Sequence, residues 1–194
     1  MDKKLTSRQQ KSLITKKKLY NSALALMNDS NIEDITISHI CSSAGVSVGS
    51  FYKHFATKTD IFVEMYDQAD DFFEEKYTVQ KTTSTTKEAI LEYFETYAQY
   101  HLKVGLQTVK QLYTCNNKLF IMKGRNMQKF LTLIIQQGQK NHQIDETTSA
   151  ERLTEYLFIS ARGLIYNWCL HDGHLDLSAE MNIYMQRLLK SIAA

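Results

Sequence analysis

Residues 35–61 read ITISHICSSAGVSVGSFYKHFATKTDI, and the spacing within this stretch decides the fold around it. Ile37, Ile40, Cys41 and Ala44 recur at the three- and four-residue steps of one helix face. Thr36 stands before them as a cap and Gly45 after them as a break. Ser47 then caps a second short helix, which carries Phe51 and Phe55 inward. Two short helices joined at a glycine form a helix-turn-helix pattern. A helix that enters a DNA major groove about 12 Å wide must be slim. Ser47, Val48, Gly49 and Ser50 leave little bulk at the leading end of this one.

Working outward, the spacing predicts a first helix over about Ser7–Asn28, with Leu13, Tyr20, Leu24 and Met27 along one stripe. Thr57 or Lys58 opens a fourth helix with Phe62, Met65, Tyr66, Ala69 and Phe73 on one face. Beyond a polar stretch at Lys81–Thr86, the residues Ile90, Phe94, Tyr97, His101 and Val104 mark an amphipathic helix that Gly105 ends. A short helix through Leu112 and Tyr113 and an irregular connection, CNNKLFIMKG, come next. Met127, Phe130, Leu131, Ile134 and Ile135 mark a helix ending near Gly138. Thr148 or Ser149 starts another, with Leu153, Leu157, Ser160, Leu164 and Trp168 on one stripe, and Leu177, Met181, Tyr184 and Leu188 mark the last. The chain has no proline and only 7 glycines in 194 residues, which suits helices joined by short turns. The expected fold is all-α, with about nine helices.

Charge divides the chain. Residues 1–60 hold 9 Lys+Arg against 5 Asp+Glu, whereas residues 61–75 hold six acids and no base. A basic head on a slightly acidic body is the asymmetry expected when only the head meets a polyanion. Lys3, Lys4, Arg8, Lys11 and Lys16–Lys18 make the first twenty residues a candidate phosphate-contacting arm. Three widely spaced cysteines, Cys41, Cys115 and Cys169, in no CxxC pair, argue against a disulfide framework and for a reducing cytosol. The N-terminus lacks the apolar core of a signal peptide. The longest uncharged stretch, Ile35–Tyr52, holds five serines and is too polar for lipid. The sequence therefore predicts a cytoplasmic protein with no membrane partner.

The stretch Leu19–Phe62 resembles the N-terminal domain of the TetR family of bacterial transcriptional regulators. Ala23, Leu24, Ile40, Ala44-Gly45-Val46-Ser47, Gly49, Tyr52, Phe55 and Lys58 fall at that family's characteristic spacing. The sequence departs from it with Asn31 where glycine is usual, Ala56 where proline is common and Val48 where a polar or basic residue is frequent. The resemblance implies that Thr36, Tyr52 and Lys58 hold phosphates on either side of the groove. It places Val48, Gly49, Ser50, Lys53 and His54 close to base edges, with Ser47 at the same DNA-facing end. Val48 can only pack there, and its best partner is a thymine methyl.

The resemblance further implies a division into a helix-turn-helix domain at 1–57 and a helical ligand-binding and dimerisation domain at 58–194. The expected function is a ligand-responsive repressor that binds double-stranded, palindromic operator DNA as a homodimer. Its expected effector is a small apolar or aromatic molecule. Candidate pocket residues are Phe62, Met65, Tyr66, Phe94, Tyr97, His101, Met127, Phe130 and Phe158. Candidate dimer-interface residues on the last two helices are Leu157, Leu164, Trp168, Met181, Tyr184 and Leu188, and Arg162-Gly163 allows close helix packing. No metal or cofactor is expected: His171 and His174 lack the i, i+4 geometry and a third ligand. There is no HExxH motif and no phosphate-cradling glycine loop, and no enzymatic activity is expected. The competing readings are a regulator controlled by a protein partner and an all-helical enzyme.

Overall fold

The computed structural model describes residues 6–77, 85–115 and 117–194, so Lys3, Lys4 and residues 81–84 lie outside the description. Nine α-helices and one 3-10 turn make up the described residues, with no strand beyond an isolated bridge between Ile144 and Ala193. They fall into two compact units that meet in the chain at Tyr66/Asp67, inside a helix, rather than at 57/58.

The head contains α1 (Ser7–Met27), α2 (Ile37–Ala44), α3 (Val48–Tyr52) and the first turns of α4 (Asp60–Tyr77). Each start has a local chemical cause. Thr6 accepts from Gln9 N at 3.3 Å while Gln9 Oε1 reaches back to Thr6 N at 2.8 Å, a reciprocal capping box. Thr36 Oγ1 caps α2 through His39 N at 3.1 Å, and Ser47 Oγ caps α3 through Ser50 N at 3.3 Å. Gly45 ends α2 in the left-handed conformation, φ 66°, which a side chain would resist. The fourth helix starts at Asp60, later than Thr57 or Lys58, because the Asp60 carboxylate accepts from Ala56 N and Thr57 N at 2.7 and 3.0 Å and holds 56–59 as a turn.

The head's core is Leu19, Tyr20, Ala23 and Met27 of α1 against Ile40, Cys41, Phe51 and Phe55. Leu13, expected on the buried stripe, is exposed with Ile14, because only the second half of α1 lies over the core. Ile37 and Ala44 are half-buried, which leaves Ile40 and Cys41 as the packing surface of α2.

The body is built around α5 (Thr86–Val104), which packs on α6 (Leu106–Leu112), α7 (Asn126–Lys140), α8 (Ala150–Leu170) and α9 (Leu177–Lys190). Gly138 does not end α7. The helix runs two residues further, and a Cβ at Gly138 would collide with Thr86 and Ile144, so glycine here serves close approach to α5. The expected irregular connection contains a 3-10 turn, Lys118–Ile121.

Four of the expected dimer-interface residues need correction. Leu157, Leu164, Trp168 and Met181 are all buried inside the body's own core. Leu188 is half-buried and Tyr184 half-exposed. The hydrophobic stripe of α8 is thus spent within the chain, opposite a second apolar face. On that face Tyr156, Ile159, Tyr166 and Leu170 step by 3, 7 and 4 residues and are exposed, joined by Ile183 and Tyr184 of α9. Gly163 lies in the gap of that stripe with open space around its Cα, so it serves no packing within the chain.

Candidate nucleic-acid interface

The head presents α3 on its surface. Phe51 faces inward against Phe55 with ring centroids 5.4 Å apart, which turns the other residues of this single helical turn outward. Val48 and Tyr52 are 41% and 57% exposed, and Gly49 and Lys53 are exposed beside them. Val48 and Tyr52 thus present apolar surface to solvent on one helical turn. At Gly49 a Cβ would meet only Ser47 Oγ, at 3.9 Å. Nothing inside the head requires glycine there.

Other expected contact residues are already engaged locally. Ser50 Oγ lies 3.0 Å from Ser47 Oγ, and the Thr36 oxygen is a cap whose hydroxyl hydrogen remains available. Lys58 differs more: its ammonium donates to the carbonyls of Glu33 at 2.5 Å and Ile35 at 3.1 Å. It ties the α1–α2 loop to the start of α4. A phosphate there would share a nitrogen that already spends two of its three hydrogens.

His54 is half-buried and turns toward α1 rather than outward with Val48 and Tyr52. With Arg8, Lys11 and Lys53 it lines a cleft of about 550 Å³ between α1 and the end of α3, edged by the hydroxyls of Ser7, Ser12, Thr15 and Ser50. Burial, then the cations Lys53 and Lys16, hold the His54 pKa below its usual value. Ser7, Ser12 and Thr15 were not legible as site residues, because their only sequence signal is a hydroxyl every few positions on a basic helix.

The body has a different interior. Phe94, Tyr97 and Phe158 meet edge to face, with centroids 5.5–6.2 Å apart. Phe73, Tyr77 and Tyr93 extend this cluster, and Phe130 joins it at Tyr77. Met127 takes part through its backbone, accepting from the Tyr93 hydroxyl at 2.6 Å. Phe62, Met65 and Tyr66, expected in the same pocket, belong to the head.

One polar chain crosses this aromatic interior. The carbonyl of Tyr97 can only accept, so His101 donates to it from Nδ1, 2.8 Å away. Nε2 therefore accepts from the Tyr113 hydroxyl at 3.0 Å, and Tyr97 OH lies 3.4 Å from Tyr113 OH. Both imidazole nitrogens are engaged, and burial drives the His101 pKa down to about 4, so the ring is neutral. Burial also raises the pKa of Tyr93 and Tyr97. Asp70 accepts from Arg125 Nε at 3.1 Å and from Met127 N at 3.0 Å, capping α7 from α4. Arg162 donates to the Phe120 carbonyl at 2.7 Å and lies over its ring. Among the described residues no three His, Cys, Asp or Glu side chains converge as metal ligands, and no helix is long and apolar enough to cross a membrane.

Residues 19–65 match the sequence profile of the bacterial regulatory proteins of the tetR family. The head thus resembles the N-terminal domain of that family. Over 182 residues the whole chain is 22% identical to the fatty acid metabolism regulator protein of Bacillus subtilis, covering 90% of this chain and 93% of that one. Its fold is shared with the fatty acid degradation regulator FadR of Bacillus halodurans (TM-score 0.76, 16% identity, 96% and 97% of the two chains). The same holds for FadR of Bacillus subtilis in complex with stearoyl-CoA (TM-score 0.74, 19% identity, 90% and 98%). It extends to SmeT, the repressor of a Stenotrophomonas maltophilia multidrug efflux pump (TM-score 0.71, 13% identity, 92% and 90%). These similar proteins are regulators.

Proposed function

We propose that this chain is a cytoplasmic, homodimeric repressor whose operator binding is relieved by a long-chain acyl ligand, with an acyl-CoA thioester as the first to test. The observation that carries the DNA-binding half is the outward display of Val48, Gly49, Tyr52 and Lys53 on a turn whose inward residue, Phe51, is fully buried. Side chains so placed can read base edges while neighbouring hydroxyls and amines hold phosphates. Gly49, with no internal reason to be glycine, allows the backbone to approach the duplex.

A homodimer is supported by the apolar outer stripe of α8 and α9, from Tyr156 through Leu170 and on to Ile183 and Tyr184. An exposed stripe of this kind marks an interaction site. Two heads on two half-sites about 34–36 Å apart then require a palindromic operator. The acyl ligand is supported by the aromatic interior of the body, and by the stearoyl-CoA held by one relative of the same fold. Within that interior the Tyr97 hydroxyl is held only at 3.4 Å by Tyr113, so it can donate instead to a ligand carbonyl. Because α4 continues from the head into the body, displacement of its far end by ligand alters the spacing of the two heads.

Footprinting on the DNA flanking the gene identifies the operator. Titration of that complex with acyl-CoA thioesters of increasing chain length then measures release. Release by a long-chain thioester at concentrations where free CoA has no effect supports the proposal. Operator binding unchanged by every thioester would transfer control to a protein partner.

A further inference from the structure

The cleft between α1 and the end of α3 combines three fixed cations with one titratable group. Arg8 and Lys11 come from α1, Lys53 follows α3, and His54 forms a half-buried wall. Among the described residues none of the three cations is in an ion pair. No carboxylate lines the cleft, and its remaining polar side chains are hydroxyls, of which Thr15 already donates to the Lys11 carbonyl and Ser50 pairs with Ser47, while Ser7 and Ser12 can donate inward. Donor-rich, cationic and concave is the chemistry that recognises a phosphate. Its place at the end of the recognition helix sets a bound anion at the edge of the groove that helix enters.

We propose that this cleft receives a backbone phosphate of the operator, and that docking there is coupled to protonation of His54. The inference rests on reading the head as an operator-binding unit. His54 faces Arg8, Lys11 and Lys16 from α1, Lys53 from its own segment and, from α4, Glu64, whose carboxylate Lys16 holds. In the free head, burial and then the cations disfavour the imidazolium, and Glu64 opposes them more weakly. A phosphate entering the cleft adds the missing negative charge and favours the imidazolium. The pKa of His54 is therefore higher in the complex than in the free protein. Affinity is fully gained below the free pKa and is lost as pH rises through the bound one. Lysine and arginine in the same cleft would bind phosphate without any such dependence.

The test uses the full chain and its footprinted operator duplex, with affinity measured at constant ionic strength between about pH 6 and 8, where histidines titrate. Wild type should tighten as pH falls, by up to about tenfold per head for a one-unit pKa shift. His54→Gln should flatten that dependence, whereas His39→Gln, at the exposed start of α2, should leave it in place. NMR titration of the wild-type His54 ring, with and without duplex, should show its pKa rising on DNA binding. Inorganic phosphate alone provides the comparison. If it raises the His54 pKa as much as the duplex does, the cleft is a free-anion site and the operator claim is overturned. An unmoved His54 pKa in a formed complex overturns the inference while leaving the head's function intact. No binding of any flanking duplex would instead remove the reading on which the inference rests.

Discussion

The head and the body use aromatic side chains in opposite ways. In the head, Tyr52 is exposed on a five-residue helix with the Phe51 ring beneath it, at 5.8 Å edge to face. In the body, Tyr93, Phe94 and Tyr97 are buried on one long helix among rings from α4 and α8. The head's aromatic surface is thus a display on a short local scaffold. The body's is an enclosure made by residues far apart in sequence. A substitution on the display should change recognition without stability, and a substitution in the enclosure should change both.

The largest expected effect follows directly. Phe94→Ala should cost about 3–5 kcal/mol, since it removes a buried ring and leaves a cavity. Tyr52→Ala should leave the melting temperature nearly unchanged and weaken operator binding. Thermal unfolding and DNA titration of the two variants side by side would break the comparison if Tyr52→Ala proved the more destabilising.

Acid provides the next test. His101 is neutral in the folded body with a pKa of about 4, below its unfolded value. The unfolded chain therefore binds more protons between the two values, and stability falls as pH drops through that window. Above neutrality the term is constant. The full loss on acidification is about 3 kcal/mol. Denaturant midpoints from neutral pH down to about 4 should fall steeply for wild type and less steeply for His101→Gln.

Two glycines sharpen the contrast between enclosed and exposed helix faces. Gly138→Ala drives a Cβ into Thr86 and Ile144 and should cost about 1–3 kcal/mol. Gly163→Ala meets open space, and its better helix propensity should raise monomer stability by about 1 kcal/mol. If the outer stripe of α8 is the dimer seam, the same Gly163→Ala should change the self-association constant, which sedimentation would read.

The smallest effects separate two lysines of the head. Lys53→Ala should reduce the log–log salt slope of operator binding by about 0.9 per head, the signature of one phosphate contact. Lys58→Ala should leave that slope nearly unchanged and cost about 1–2 kcal/mol of head stability, because two carbonyls lose their donor. A salt slope that falls equally for both would return Lys58 to the phosphate backbone.

The sequence by itself determined the nine helices of the described residues and most of their limits. Thr36, Gly45, Ser47, Gly105 and Ser149 act within one turn of their own position, through hydroxyl caps or a backbone angle that only glycine adopts freely. Short-range chemistry of this kind is written in the order of residues. Tertiary structure decided what depends on which neighbour fills a given face. It sent Leu157, Leu164, Trp168 and Met181 into the body's own core and left Tyr156, Ile159, Tyr166 and Leu170 outside, because a helix with apolar residues on two faces does not say which one its own chain will cover. It gave the Lys58 ammonium to two carbonyls more than twenty residues away in sequence. It also turned His54 from the groove toward Arg8 and Lys11, since two charged segments distant in the chain become one cleft only after Leu19, Phe51 and Phe55 have packed.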